Sequence, residues 1–172
     1  QLPRYYESQT YISHSNKSAT VVDHLYKISR KFTLRWKYDL IHRNSLIKPV
    51  TILDFGCGTG GFLRECQKNK MNVTGVEPSS IARATAIKDT KAPIHPDISS
   101  LRETFDAITL WHVLEHVADL HETLRNLSDL LNQNGTMFIA VPNLKSRDAE
   151  TYQEHWAGYD VPRHLWHFSK TT

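Results

Sequence analysis

Cysteine is scarce in this chain of 172 residues: Cys57 and Cys66 are the only two. That excludes a disulfide framework, and two reduced thiols in a cytoplasmic protein are the simplest reading. Long apolar runs are missing as well. None approaches the roughly 18 residues that a membrane-spanning helix needs. No internal repeat or low-complexity tract is present, and no signal-peptide pattern is visible. The chain begins at Gln1 rather than Met, so a removed segment stays open. Acidic residues are few in the first fifty positions, where nine Lys and Arg stand against three Asp and Glu. The remainder carries twelve against fifteen, so a net charge of +3 divides into +6 and −3. Such a basic segment suits an anionic surface, a phosphorylated substrate or nucleic acid. A solvated helix face is the simpler account of it, and nothing singles out a nucleic-acid partner. With 40% hydrophobic and 23% charged residues the composition is that of a soluble globular protein. The length suits one domain with a sizeable core.

What is present is an alternation of strand and helix signals. Residues 1–20 are polar and read as an irregular arm. From Val21 to Arg43 the apolar positions Val22, Leu25, Ile28, Phe32, Trp36 and Leu40 recur every three or four residues. That spacing predicts an amphipathic helix, with a break near Thr33. Pro49 disfavours helix in the residue before it and closes the segment. Strands are then predicted at 50–55, 72–77, 92–95, 105–111 and 136–142. Helices are predicted at Gly60–Lys70, Ser80–Lys88 and Leu120–Leu131, with Asn134-Gly135 as a turn before the last strand. Strands alternating with helices predict a Rossmann-like parallel sheet in an α/β domain. The organisation expected is an N-terminal arm and cap helix over 1–48 and a ligand-binding domain over 49–172. The tail "YDVPRHLWHFSKTT" reads as a chain cut at the start of a helix capped by Ser169.

The stretch "ILDFGCGTGG" (52–61) decides between cofactors. Gly56, Gly58 and Gly61 spell the dinucleotide fingerprint, while Gly56, Gly58 and Gly60 form a second pattern behind Asp54. Either way, a strand, a glycine turn and a helix bring backbone N–H groups to a helix N-terminus. Glu77, after the second strand, stands where an acid accepts from ribose hydroxyls. Three features separate the readings. Asp54 opposes a pyrophosphate but suits a ligand carrying an ammonium group. Asp97 follows the third strand, where an acid can accept from an adenine amino group. The fourth strand runs directly into "WHVLEHV", a segment dense in polar groups.

With "LDFGCGTG", Glu77, "FDAITLWHVLEHV" and "GTMFIAVPN" in this order, residues 50–168 resemble the class I S-adenosylmethionine (SAM)-dependent methyltransferases. They are most similar to the group holding the ubiquinone-pathway O-methyltransferases and many bacterial members, the methyltransferase domain 23 type. "YDVPRHLWHFS" belongs to the bacterial pattern. The resemblance implies SAM as cofactor, S-adenosylhomocysteine (SAH) as product, and a small-molecule acceptor methylated on oxygen or carbon. It implies that Gly56, Cys57, Gly58 and Gly60 wrap the methionine part, which Asp54 orients. Glu77 and Pro78 would take the ribose, Asp97 and Ile98 the adenine, and Trp111 and His112 the methyl-transfer side. The family sheet has seven strands, and the last two are not found in this sequence. A module that binds SAM without chemistry and an NAD-dependent oxidoreductase are the alternatives.

The histidines carry a rival reading. "HVLEH" (112–116) matches H-x-x-E-H, an inverted zinc-protease motif whose histidines, four apart on a helix, could share a metal. It directly follows a buried strand rather than lying within a helix, so no metal is expected, and Glu115 and His116 are read as structural. His164 and His167 flank Trp166, but no other ligand lies near them in sequence. They are expected, with Asp160 and Arg163, to line the substrate pocket. An acceptor hydroxyl needs a base, and histidine titrates in the useful range. His112 and His164 are the candidates. Tyr5, Tyr6, Trp111, Trp156 and Trp166 are expected to form the lid and to favour a sulfonium through cation–π attraction.

Overall fold

The structure is a computed structural model that describes residues 21–171, with side chains described from residue 28 onward. It opens on helix α1 (Val21–Asn44). Strand β1 (Thr51–Phe55), helix α2 (Gly61–Lys68), strand β2 (Asn72–Val76), helix α3 (Ser80–Thr90) and strand β3 (Ile94–His95) follow. The second half holds β4 (Phe105–Trp111), a 3₁₀ turn (Leu114–His116), α4 (Leu120–Asp129), β5 (Leu131–Ala140) and α5 (Arg147–Tyr152). All pairings are parallel and the strand order is 3-2-1-4-5. This is the expected Rossmann-like sheet, with five strands among the described residues. The order reverses between β1 and β4, and a ligand crevice forms beyond the carboxyl ends of strands at such a point.

The sheet is buried on both faces, as its near-continuous apolar strands require. Neighbouring β1 residues point to opposite sides. Ile52 joins Phe62, Leu63, Cys66, Ala86 and Ile41 in one fully covered cluster. Leu53 joins Ile108, Leu110, Leu114 and Leu127 in the other. Ser79 caps α3 by accepting from the Ala82 N–H, and Asp119 caps α4 by accepting from Glu122 N–H. No helix among the described residues is long and apolar enough to cross a membrane.

Three differences from the sequence reading have physical causes. Helix α1 runs unbroken through Thr33, whose hydroxyl donates to the Ser29 carbonyl one turn back. Its buried face is also not the predicted one. Leu34, Tyr38 and Ile41 pack on the core, while Ile28, Phe32 and Trp36 stand exposed at 44%, 72% and 60%. The helix thus carries two apolar stripes, and periodicity alone does not say which one meets the domain. Strand β5 begins at Leu131, and Asn134-Gly135 is an irregularity inside it rather than a turn before it. The register steps from Phe105↔Leu131 to Ala107↔Thr136 across that point. Helix α5 was not anticipated. Its six residues are too short for periodicity, although Ser146 caps it by accepting from Ala149 N–H.

Candidate functional site

The crevice is built first from β1 and its glycine turn. Asp54 is 3% exposed, and its Oδ1 accepts a hydrogen bond from the Thr109 hydroxyl of β4 at 2.7 Å. Burial raises the Asp54 carboxyl. The Thr109 bond and the Lys37 ammonium lower it and Glu77 raises it, leaving it at about 7. The chain then turns sharply with Gly56 at φ 77° and Gly58 at φ 54°. A Cβ on Gly56 would collide with Val113, so β4's following segment closes against the turn there. Nothing lies within 4 Å of a Cβ placed on Gly58, which leaves the turn open on that side. Cys57 is buried, and burial pushes its thiol up.

Four N–H groups of this turn bear on the cofactor question. Those of Gly56 and Cys57 both donate to the Val76 carbonyl, and that of Gly60 donates to Cys57. The Gly58 N–H donates to Glu77 Oε2 at 2.8 Å. Donors already used inside the protein are not presented to a phosphate. Glu77 Oε1 accepts from the Ser79 N–H at 2.9 Å, so the carboxylate fastens the β2–α3 loop to the glycine turn. Pro78 is exposed beside it, and its carbonyl accepts from Arg83. Asp97 lies two residues beyond β3 on the same edge, exposed, accepting from the Ser99 hydroxyl and the Ser99 N–H, bonds that hold its carboxyl below the usual range. Ile98 is half-buried against the second core cluster.

From the other side come Trp111, His112 and a group that sequence reading missed. Trp111, the last residue of β4, packs edge-on to Phe62 at 5.7 Å. Its indole N–H is buried and makes no hydrogen bond among the described residues. Lys37 of α1 places its ammonium 4.4 Å from the centre of the Trp111 ring. Burial lowers the Lys37 pKa, and the Asp54 carboxylate works against that. Helix α1 therefore crosses the crevice, and Arg30 and Leu34 lie over Gly61 at the start of α2. Nothing in the sequence separates Lys37 from the other lysines of α1.

His112 has φ 59° and a side chain 63% exposed, with Nδ1 3.5 Å from Glu115 Oε1. Glu115 is 1% exposed, and neither of its oxygens makes a hydrogen bond of normal geometry among the described residues. Burial raises its carboxyl. Its own N–H and the His112 and His116 imidazoles outweigh that and hold it below the usual carboxylate range. The tail returns to this segment: Leu165 and Trp166 N–H groups donate to the Glu115 carbonyl, and the Trp166 indole to Val117. His116 and His164 rings meet edge-on at 4.6 Å. So the structure gathers His112, Glu115, His116, Asp160 and His164, whereas the sequence reading took His112 and His164 as bases, Asp160 as pocket lining, and Glu115 and His116 as structural. The signal was the H-x-x-E-H spacing; the partner completing it lay some fifty residues away. Trp156 instead packs on Tyr159, and Tyr5 and Tyr6 lie outside the described residues. A cavity of ≈ 390 Å³ opens at the opposite, amino end of the strands, beside Thr51 and Asn72, and holds none of these groups.

A family model for the methyltransferase domain matches residues 26–172. The chain belongs to the methyltransferase domain family. A ubiquinone biosynthesis O-methyltransferase of Mesorhizobium japonicum is 31% identical over 103 residues, 55% of this chain and 41% of that protein. A malonyl-[acyl-carrier protein] O-methyltransferase of Halalkalibacterium halodurans is 27% identical over 79% of this chain and 56% of its own length. The chain thus spans about half, or less, of these relatives. The fold matches magnesium protoporphyrin IX methyltransferase from Synechocystis PCC 6803, solved with bound SAH. Its TM-score is 0.72 at 13% identity, covering 98% of this chain and 83% of that one.

Proposed function

We propose that this methyltransferase domain binds SAM in the crevice between β1 and β4 and transfers its methyl group to a small-molecule hydroxyl or carbon acceptor. The observation that carries the reading is a cation site already built there: buried Asp54 facing the Lys37 ammonium, which rests on the Trp111 ring. The orphaned Trp111 N–H and the open side of Gly58 fit a ligand with both apolar and accepting atoms. SAM, when bound, supplies a methyl group already activated by positive sulfur.

Asp54 would hold the ligand ammonium, with Gly56, Cys57, Gly58 and Gly60 shaping the turn around the methionine part. Glu77, beside Pro78, has lone pairs left on both oxygens to accept from ribose hydroxyls while fastening the loop. Asp97 and Ile98 would border the adenine. Trp111 and Lys37 define the side where the methyl leaves, and the Trp111 face excludes water. His112 and His164 would take the proton of a hydroxyl acceptor. Helix α1, over the crevice, acts as the cap of the domain 49–172; the remainder of the expected 1–48 cap segment before Val21 lies outside the described residues. The stripe of Ile28, Phe32 and Trp36 beside exposed Lys31 and Arg43 suits peripheral contact with an anionic surface in the cytoplasm.

The test uses the full-length protein with methyl-labelled SAM and a panel of candidate acceptors, read by mass spectrometry. Labelled product on a hydroxyl or carbon is expected. SAH binding with no labelled product from any acceptor would favour the binding-module reading.

A further inference from the structure

Beyond the carboxyl end of β5 lies a second group of aromatic side chains. Helix α5 and the turn after it bound a cavity of ≈ 300 Å³, lined by Asp148, Tyr152, His155, Trp156 and Ala157. Asp148 and Tyr152 stand four apart on α5 and so share a face. Gln153 then takes φ 46° and ψ −125°, a conformation that residues other than glycine rarely adopt, and its carbonyl accepts from the Trp156 N–H at 3.0 Å. This strained turn brings Trp156 back to the cavity that Tyr152 lines. The indole is held there by its neighbours. Tyr159 meets it edge-on at 5.3 Å, and a Cβ on Gly158 would lie 2.5 Å from its six-membered ring. Core packing does not account for the arrangement: Ala149 is the only buried residue between 148 and 157, and Tyr152 is 59% exposed. Residues 148–157 include Asp148, Glu150 and Glu154 and no Lys or Arg. Asp148 enters no ion pair or side-chain hydrogen bond among the described residues, so its charge is not offset.

We propose that this cavity is a binding site for an organic cation, an alkylammonium group that rests on Trp156 and Tyr152 with its charge offset by Asp148. The face of an aromatic ring attracts a cation, and more strongly where water is displaced. A carboxylate beside the rings adds Coulomb attraction. A small inorganic cation keeps its water and needs several oxygen ligands, which this cavity does not gather. A methylated ammonium meets the rings directly. The same turn continues into the acceptor side of the crevice. The Gly158 carbonyl accepts from His164 Nδ1 at 2.7 Å, and the Leu165 N–H donates to the Glu115 carbonyl. The site thus points to the acceptor class: a hydroxyl compound with an amine at its far end, held by that amine while the hydroxyl lies toward His164 and His112. That role rests on the methyltransferase reading, whereas binding of the cation itself does not.

The experiment titrates choline into the full chain at pH 8, reading the tryptophan indole N–H signals by NMR and the choline methyl signal by saturation transfer. The Trp156 indole, identified by its loss in Trp156→Leu, should shift and saturate. Dimethylbutanol, the neutral carbon isostere of choline, should leave it in place at the same concentration. Trp156→Leu and Asp148→Asn should each weaken binding by about threefold to thirtyfold. Glu122→Gln, at an exposed acid on α4, should not. A circular-dichroism melt of each variant distinguishes a lost contact from a lost fold. No shift of the Trp156 signal, an equal shift by dimethylbutanol, or unchanged binding by folded Asp148→Asn and Trp156→Leu overturns the proposal. Displacement of choline by SAH would put the cation in the crevice at Trp111 and overturns it too. Hydroxyl acceptors offered with methyl-labelled SAM in amine-bearing and neutral alkyl pairs test the role. A KM at least threefold lower for the amine-bearing member is expected, a preference that Asp148→Asn removes. Methyl transfer without that preference keeps the cation site and removes its part in the reaction. Choline binding without SAH binding keeps the site and removes the methyltransferase reading; SAH binding without choline at Trp156 does the reverse.

Discussion

Asp54 shows how one buried side chain ties ligand recognition to pH. Its folded-state pKa of about 7 exceeds the ordinary 3.8, so the folded chain retains a proton that the unfolded chain has released. The stability this contributes is complete below pH 3.8 and is lost as pH rises through about 7. A ligand ammonium reverses the preference by favouring the carboxylate. SAH affinity should therefore rise from pH 6 to pH 8 with release of a proton, seen by calorimetry in buffers of different ionisation enthalpy. Asp54→Asn should abolish that release, and its own melting temperature should fall less than the wild type's between pH 5 and pH 8. A wild type that binds SAH with no proton exchanged at pH 6 would contradict the role. Glu77 is the second such residue. Glu77→Gln keeps an oxygen for one loop N–H but loses acceptor strength toward hydroxyls. It should weaken SAH about ten- to a hundredfold, while the melting temperature stays within a few degrees. Unchanged affinity would remove Glu77 from the ribose. Asp54 and Glu77 were legible because strand ends and the glycine turn fix their positions. Glu115 and His116 were not, because their partner His164 reaches them through tertiary folding.

At the scale of elements, α1 was legible as a helix and misread as a surface. Its period is satisfied by two stripes, and only packing on the cluster that holds Met71 and Cys66 shows that Leu34, Tyr38 and Ile41 face the core. The exposed stripe then gives a prediction. The wild type should co-sediment with vesicles containing phosphatidylglycerol more than with neutral ones, and less at high salt. A Phe32→Asp and Trp36→Asp double variant should lose several-fold of the bound fraction. Equal binding to neutral vesicles, or no change in the variant, would count against an anionic surface. The strands β1, β2 and β4 were read to within a residue because buried apolar runs bounded by turns have few alternatives. The early start of β5 was hidden by Asn134-Gly135, a pair that signals a turn in most contexts and here sits inside an edge strand.

For the whole molecule, strand order 3-2-1-4-5 places the ends of β1, β2, β3 and β4 on one edge, where Asp54, Glu77, Asp97 and Trp111 stand in turn. The sequence could name these residues because each stands at or just beyond the carboxyl end of its strand. It could not show that α1 crosses the crevice with Lys37, or that four of the glycine-turn N–H groups are spent on Val76, Cys57 and Glu77. Asp54, buried at the turn, and a turn with four of its N–H groups already used both disfavour a pyrophosphate, and together they carry the choice of cofactor. The measurement that tests this most directly is calorimetry of the same protein sample with SAH and with NAD side by side at pH 8. The account predicts one SAH bound per chain, weakened at least tenfold by Asp54→Asn, and no measurable heat with NAD. Saturable NAD binding with none for SAH would contradict it.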